Sequence, residues 1–196
     1  MRRMHPVMMV FLTLACLTFL SCARQTPAPV VMSDADYVAR GKYLVDITGC
    51  NDCHTPGTFW NAPDPTRFLS GSELGWKGPW GVTYARNLTP EPQTGIGAWS
   101  ESDIVTAIRM GKRPDGTMLL PPMPWPDLAH LTDDDAKSIA KYLKTLPPVM
   151  HKVPDKLPPG APAKGSIITF PPPSAWDAPR PAPAGADTTH AGGTTP

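Results

Sequence analysis

Three stretches of the chain place apolar residues three and four positions apart, which predicts three amphipathic helices. Serine and threonine are favoured helix caps, and glycine and proline commonly end a helix. The predicted start and stop residues are, in chain order, Ser33 and Gly49, Ser100 and Gly111, and Thr132 and Pro147. The spacing therefore predicts a small domain built on three helices.

Each predicted helix has one apolar face that must be buried. The residues of these faces are Tyr37, Gly41, Leu44 and Ile47 in the first helix, Ile104, Ala107 and Ile108 in the second, and Ile139, Tyr142, Leu143 and Leu146 in the third. Gly41 has no side chain and would let another helix come close. The first and third helices are therefore predicted to cross.

Residues 55–99 keep neither a helical nor a strand period but are rich in aromatic side chains. The aromatic residues of interest are Phe59, Trp60, Phe68, Trp76, Trp80 and Tyr84. A loop this long is uncommon in a small domain unless it wraps something, and its composition is too aromatic for a disordered linker. It is predicted to form a shell around a large apolar object; the alternative is that the rings fill a protein core.

The N-terminal 22 residues are predicted to be an export signal. Arg2 and Arg3 precede an apolar run at 7–20, and these 14 residues fall short of the ~20 that a membrane-spanning helix needs. Residues 19–22 resemble a bacterial lipobox, although Phe19 and Leu20 depart from its usual pattern. Cys22 is predicted to become a lipid-modified first residue, with a tether at 23–32; the alternative is cleavage after Ala23.

The C-terminal residues 151–196 are predicted to be a mostly disordered tail, because proline, alanine, glycine and threonine dominate them. Their apolar cluster at 167–170 either docks on the domain or on a partner, or has no function. The compact domain is therefore placed at 33–150.

Charge excludes one class of function. The chain has a formal net charge of +1, and nothing in it has the dense basic character of a nucleic-acid-binding protein.

The chemistry of the chain is concentrated in Gly-Cys-Asn-Asp-Cys-His at 49–54. Two thiols three positions apart followed at once by an imidazole form the pattern of covalent haem attachment. On one helical turn Cys50 and Cys53 point the same way, so both can bond one haem while His54 ligates its iron. A zinc site and a redox dithiol are the alternatives, and both lack their usual sequence context.

Residues 115–125 hold the candidates for the second axial ligand. Met123 is favoured because the prolines around it stiffen its loop, so less freedom is lost when its sulfur is held at the iron. Met118 is the alternative; core packing is predicted for it and for Met110. His130 and His151 are predicted to be surface residues.

Residues 33–150 resemble the small class I c-type cytochromes, and most closely the cytochrome subunits of membrane-associated bacterial dehydrogenases for alcohols, aldehydes and sugar acids. The resemblance rests on Cys-Asn-Asp-Cys-His at 50–54 and on the stretches at 84–103, 121–125 and 131–149. It implies an all-α fold with three main helices and a long aromatic loop around one covalently attached haem c. Those subunits usually carry three such domains, whereas this chain has one motif.

By that resemblance Cys50 and Cys53 carry the thioethers, and His54 and Met123 are the iron ligands. The resemblance also makes Trp99, Arg86 and Asn87 candidates for lining the haem edge and its propionates.

The sequence thus predicts an exported, periplasmic carrier of single electrons that catalyses nothing alone. Its partners would be redox proteins, with a dehydrogenase as donor and an oxidase or another cytochrome as acceptor, and a lipid on Cys22 would hold it at the membrane. The alternatives are a haem enzyme or gas sensor with an open sixth iron position, and a structural or assembly factor.

Lipid attachment predicts a specific mature N-terminus. Mass spectrometry of the protein from its membrane fraction should find a chain that begins at an acylated Cys22. A soluble chain that begins at Arg24 would contradict the lipoprotein assignment.

Overall fold

The computed structural model describes residues 32–175. The predicted export signal, the lipidation site at Cys22 and the last part of the predicted tail lie outside these residues. Within them, no helix is long and apolar enough to cross a membrane.

The three predicted helices are confirmed. They are α1 (Asp34–Ile47), α3 (Glu101–Met110) and α5 (Asp133–Thr145), with two short helices between them, α2 (Cys50–His54) and α4 (Trp125–Leu128). Ser33 and Ser100 each accept a hydrogen bond from the backbone three residues on, within a full capping box. Thr132 caps α5 in the same way through Asp135 N–H, and Gly111 ends α3 in the left-handed region.

The crossing of α1 and α5 is also confirmed. A Cβ atom at Gly41 would collide with the backbone of Ser138 and the side chain of Tyr142, so only glycine permits this approach. The buried face of α1 is Gly41, Leu44 and Val45. The prediction for Ile47 is wrong: its side chain is 59% exposed, because α1 ends there, beyond the surface that α5 covers.

A small sheet accompanies the helices, so the all-α prediction holds only as a mostly helical domain. The strands are β1 (Gly75–Gly78), β2 (Gly81–Tyr84) and β3 (Ile167–Thr169), in the order β2-β1-β3. β1 and β2 form an antiparallel hairpin, and β3 pairs with β1 in parallel. Strands of three or four residues leave too little alternation to be recognised in a sequence.

The first part of the predicted disordered tail packs against the domain. We call residues 151–175 the C-terminal strap. Val153 is buried, Leu157 pairs with Val82, and the apolar cluster at 167–170 docks as β3. The Phe170 ring packs against Trp76 and Trp80, with ring centres 6.2 and 5.5 Å apart. Backbone hydrogen bonds to the sheet give this proline-rich segment an order that its composition did not predict.

His151 corrects a further prediction. Its side chain is only 11% exposed, so it is not a surface residue. Its Nδ1 lies 2.9 Å from the carbonyl oxygen of Ser70, and its Nε2 lies 2.8 Å from Glu73 Oε1. These contacts join the start of the strap to the loop before β1. His130 is exposed, as predicted.

Candidate cofactor site

A cavity of about 560 Å³ lies beside the helical core. Sites for small molecules and cofactors usually measure ~300–1,000 Å³ and have mostly apolar walls. Its apolar walls come from several elements: Trp76 and Tyr84 of the sheet, Ile104, Ala107 and Ile108 of α3, and Ile139 and Leu143 of α5. Cys50, Cys53, His54 and Met123 all line it, so the fold brings the four predicted site residues together.

The short helix α2 presents the two cysteines. Gly49 precedes it with a φ of 68°, a left-handed conformation that turns the chain out of α1. Both cysteines are free thiols, and burial raises the pKa of each. Redox dithiols of the Cys-X-X-Cys type have a lowered thiol pKa and react as thiolates. The opposite shift here speaks against the redox-dithiol alternative.

His54 is oriented by the backbone of Arg86. Its Nδ1 lies 2.6 Å from the Arg86 carbonyl oxygen. Because a carbonyl oxygen can only accept, Nδ1 carries the proton and Nε2 keeps its lone pair. Burial lowers the pKa of His54 and favours the neutral ring. A neutral imidazole whose other nitrogen donates to a carbonyl is the usual state of a metal-ligating histidine.

Met123 and Met118 both line the cavity. Met123 is half-buried, and its loop is tied to β2 where Thr83 Oγ1 donates to the carbonyl oxygen of Pro121 over 2.8 Å. Core packing is wrong for Met118 and for Met110, whose side chains are 46% and 62% exposed. Either cavity methionine is therefore placed to offer a sulfur, and Met123 is the more buried of the two.

Asn87, Arg86 and Trp99 also line the cavity. The side chain of Asn87 is already committed to the protein: its Nδ2 donates to the Val149 carbonyl at 2.8 Å and to Thr94 at 3.1 Å, and its Oδ1 accepts from Thr89 N–H at 2.9 Å. Asn87 thus connects its own loop to Val149, which follows α5, and we call this role the clamp. Its amide has little capacity left for a ligand.

The aromatic side chains of residues 55–99 lie in several different environments. Phe59, Trp76 and Tyr84 line the cavity, whereas Phe68 packs against the helical core. Trp60 is 61% exposed, and Trp80 packs on the C-terminal strap. The prediction of a shell thus describes only Phe59, Trp76 and Tyr84.

Among the cavity residues missed by sequence reasoning are two basic ones, Arg113 and Lys156. Arg113 follows α3, and Lys156 lies in the C-terminal strap. Neither stands in a motif that could have identified it, because each approaches the cavity only through the tertiary fold.

The donors around the cavity fit a covalently attached haem better than a bare metal ion. Within residues 32–175, no cluster of three or more His, Cys, Asp or Glu side chains is placed to hold a metal. The zinc alternative therefore finds no ligand set in this part of the chain. Two free thiols and a neutral imidazole on one wall of a large, largely apolar cavity match what haem c requires.

Comparison with known proteins finds cytochrome subunits. The chain is 35% identical over 126 residues to the cytochrome c subunit of the quinone-type alcohol dehydrogenase of Gluconobacter oxydans (strain 621H), covering 63% of this chain and 25% of that protein. It is 32% identical over 147 residues to the fructose dehydrogenase cytochrome subunit of Gluconobacter japonicus, covering 74% and 29%.

A third relative is the gluconate 2-dehydrogenase cytochrome c subunit of Pantoea cypripedii, at 34% identity over 105 residues, covering 54% of this chain and 22% of that protein. This chain thus spans about a quarter of the length of these relatives. No protein-family model matches it.

The clamp role of Asn87 predicts a loss of stability. Asn87→Ala removes hydrogen bonds to Val149, Thr94 and Thr89 and leaves buried polar groups unpaired, so the free energy of unfolding should fall by on the order of 1–3 kcal/mol. Guanidinium denaturation of the purified protein measures this. Gln93→Ala, at an exposed neighbouring position, should stay within about 0.5 kcal/mol of the parent. Equal stability of the two variants would contradict the clamp.

Proposed function

We propose that this chain, a homologue of the cytochrome c subunits of bacterial membrane-bound dehydrogenases, is an exported electron carrier with one covalently bound haem c. The observation that carries the proposal is the wall formed by Cys50, Cys53 and His54, where two free thiols adjoin an imidazole whose Nε2 lone pair is available. The alternatives of zinc and redox dithiol do not account for this combination.

When bound, haem c supplies an iron that changes by one electron between its ferric and ferrous states. Cys50 and Cys53 would hold the group through thioether bonds, so that it cannot be lost from an exported protein. His54 would ligate the iron through Nε2, and its bond to the Arg86 carbonyl would keep the ring from turning.

Met123 would be the second axial ligand. A thioether raises the reduction potential and keeps other ligands from the iron, which suits electron transfer rather than catalysis. The tether from Thr83 to Pro121 supports this role because it limits the movement of the loop that carries the sulfur.

The partners are proposed from the relatives. Those proteins are cytochrome subunits of dehydrogenases for alcohols, fructose and gluconate. A dehydrogenase is therefore the proposed donor, and an oxidase or another cytochrome the proposed acceptor, at the periplasmic face of the membrane. Weak and transient contacts are usual for such redox encounters. The lipid anchor on Cys22 lies outside the described residues and stays a prediction of the sequence.

Covalent haem attachment is tested by extraction. Protein produced with a c-type cytochrome maturation system should keep one haem per chain after denaturation and acidic solvent extraction, and should show a reversible visible absorbance change with dithionite. Cys50→Ser with Cys53→Ser should abolish covalent attachment. Asp52→Asn is the matched control, since this exposed residue lies between the thiols, and should retain the haem. A colourless parent protein, which lacks haem, would refute the proposal.

The axial ligand is tested by exchanging each methionine. Met123→Ala should lower the midpoint potential by at least ~59 mV, a tenfold change in the one-electron equilibrium, because the thioether is lost. It should also let carbon monoxide bind the reduced protein without denaturation. Met118→Ala, the control from the same cavity, should do neither. The reverse result would assign the ligand to Met118. Avid binding of carbon monoxide by the parent protein would favour the alternative of a haem enzyme or gas sensor.

A further inference from the structure

The tryptophan that follows the Met-Pro pair packs against the glycine that ends α3. The Trp125 indole occupies the place where a side chain at position 111 would begin, because a Cβ atom at Gly111 would lie 2.6 Å from both Cδ2 and Cε2 of the ring. Carbon atoms in contact normally lie ~3.5–4.0 Å apart, so only glycine permits this approach. Gly111 is buried and Trp125 is partly buried. The contact joins the end of α3 to the first residue of α4.

This contact closes the base of the loop at 112–124. Both candidate methionines, Met118 and Met123, lie on that loop and line the cavity. Gly111 and Trp125 do not line the cavity themselves. The two residues therefore act on the site through the elements that they join, and the loop is the one that carries the methionines.

The backbone around the contact reinforces it. Leu119 N–H donates to the Gly111 carbonyl oxygen over 2.6 Å, so the loop is tied to the same glycine a second time. Trp125 N–H donates to the Met123 carbonyl oxygen over 3.0 Å, and the Trp125 carbonyl accepts from Ala129 N–H of the turn that follows α4 at 2.9 Å. The position of the Met123 backbone thus depends on where the indole is held.

We propose that Trp125 and Gly111 are positioning residues for Met123, and that their contact keeps the sulfur of Met123 at the cavity. This inference rests on the proposed function, in which Met123 is the second axial ligand. A loop that is tied at its base loses less conformational entropy when its ligand atom is held, so binding costs less. Loss of the contact should therefore increase the fraction of molecules in which the sulfur has left its place.

Helix capping alone would explain part of this arrangement. Gly111 has a φ of 67°, and a glycine in the left-handed region commonly ends a helix. A cap needs no aromatic ring against it, however, so capping does not account for Trp125. The two roles also differ in their consequences: loss of a cap lowers stability, whereas loss of loop positioning opens the sixth iron position.

Trp125→Leu tests the inference in the protein that carries haem. The apparent affinity for carbon monoxide scales with the fraction of molecules whose site is open, so the reduced variant should bind it about threefold to tenfold more tightly than the parent. Hydrogen exchange of the backbone amides at 112–124 should also become faster. Trp125→Phe keeps an aromatic ring beside Gly111 and should retain the values of the parent.

Trp80→Leu is the matched control. Trp80 is also partly buried and also packs against a glycine, since a Cβ atom at Gly78 would lie 2.5 Å from its Cη2. It lies between β1 and β2, outside the loop at 112–124, and does not line the cavity. Trp80→Leu should leave the affinity for carbon monoxide unchanged. Gly111→Ala displaces the indole from the other side and should raise this affinity, whereas Gly78→Ala should not.

The outcomes separate this inference from the proposed function. If Met123→Ala does not increase the affinity for carbon monoxide, the ligand assignment in the proposed function fails. If Met123→Ala increases it while Trp125→Leu matches the parent or Trp80→Leu, the inference alone is overturned. Should Trp125→Leu not fold, the glycine pair decides: a Gly111→Ala variant that loses stability but binds carbon monoxide no better than Gly78→Ala would show a cap only and overturn the inference.

Discussion

The close crossing of α1 and α5 at Gly41 is the contact on which the rest of the domain depends. α5 uses two faces: Ser138 and Tyr142 pack against α1, while Ile139 and Leu143 form part of the cavity wall. α1 runs directly into the turn at Gly49 that starts α2. The same contact therefore sets the position of the two cysteines on one wall and of the apolar side chains on another. A side chain at position 41 would move both walls apart.

The thiols and the imidazole of the site are kept uncharged, while charged side chains also line the cavity. Burial keeps the thiols protonated and the imidazole uncharged, which avoids the cost of charges in an apolar environment. Among these charged residues, Lys156 is exposed to solvent. The apolar surrounding would limit the access of water to a cofactor bound in the cavity.

The sheet and the C-terminal strap both contribute to the lining of the cavity. Tyr84 of β2 and Trp76 of β1 line the cavity, while β3 covers the far edge of β1. The relatives are cytochrome subunits of dehydrogenases, and this chain covers about a quarter of their length. The C-terminal strap adds β3 to the sheet and contributes Lys156 to the lining of the cavity.

The sequence by itself determined the three helices, their caps and the cysteine-histidine motif, because helix periodicity, capping and a motif of five consecutive residues are local properties. It predicted the crossing at Gly41 for the same reason, since a glycine on an apolar face is visible in the chain. Only the tertiary structure decided the sheet, the docking of the strap, the clamp at Asn87 and the approach of Arg113 and Lys156 to the cavity. These depend on partners far apart in the chain, such as Val82 with Leu157. A composition rich in proline and glycine carries no information about such pairing.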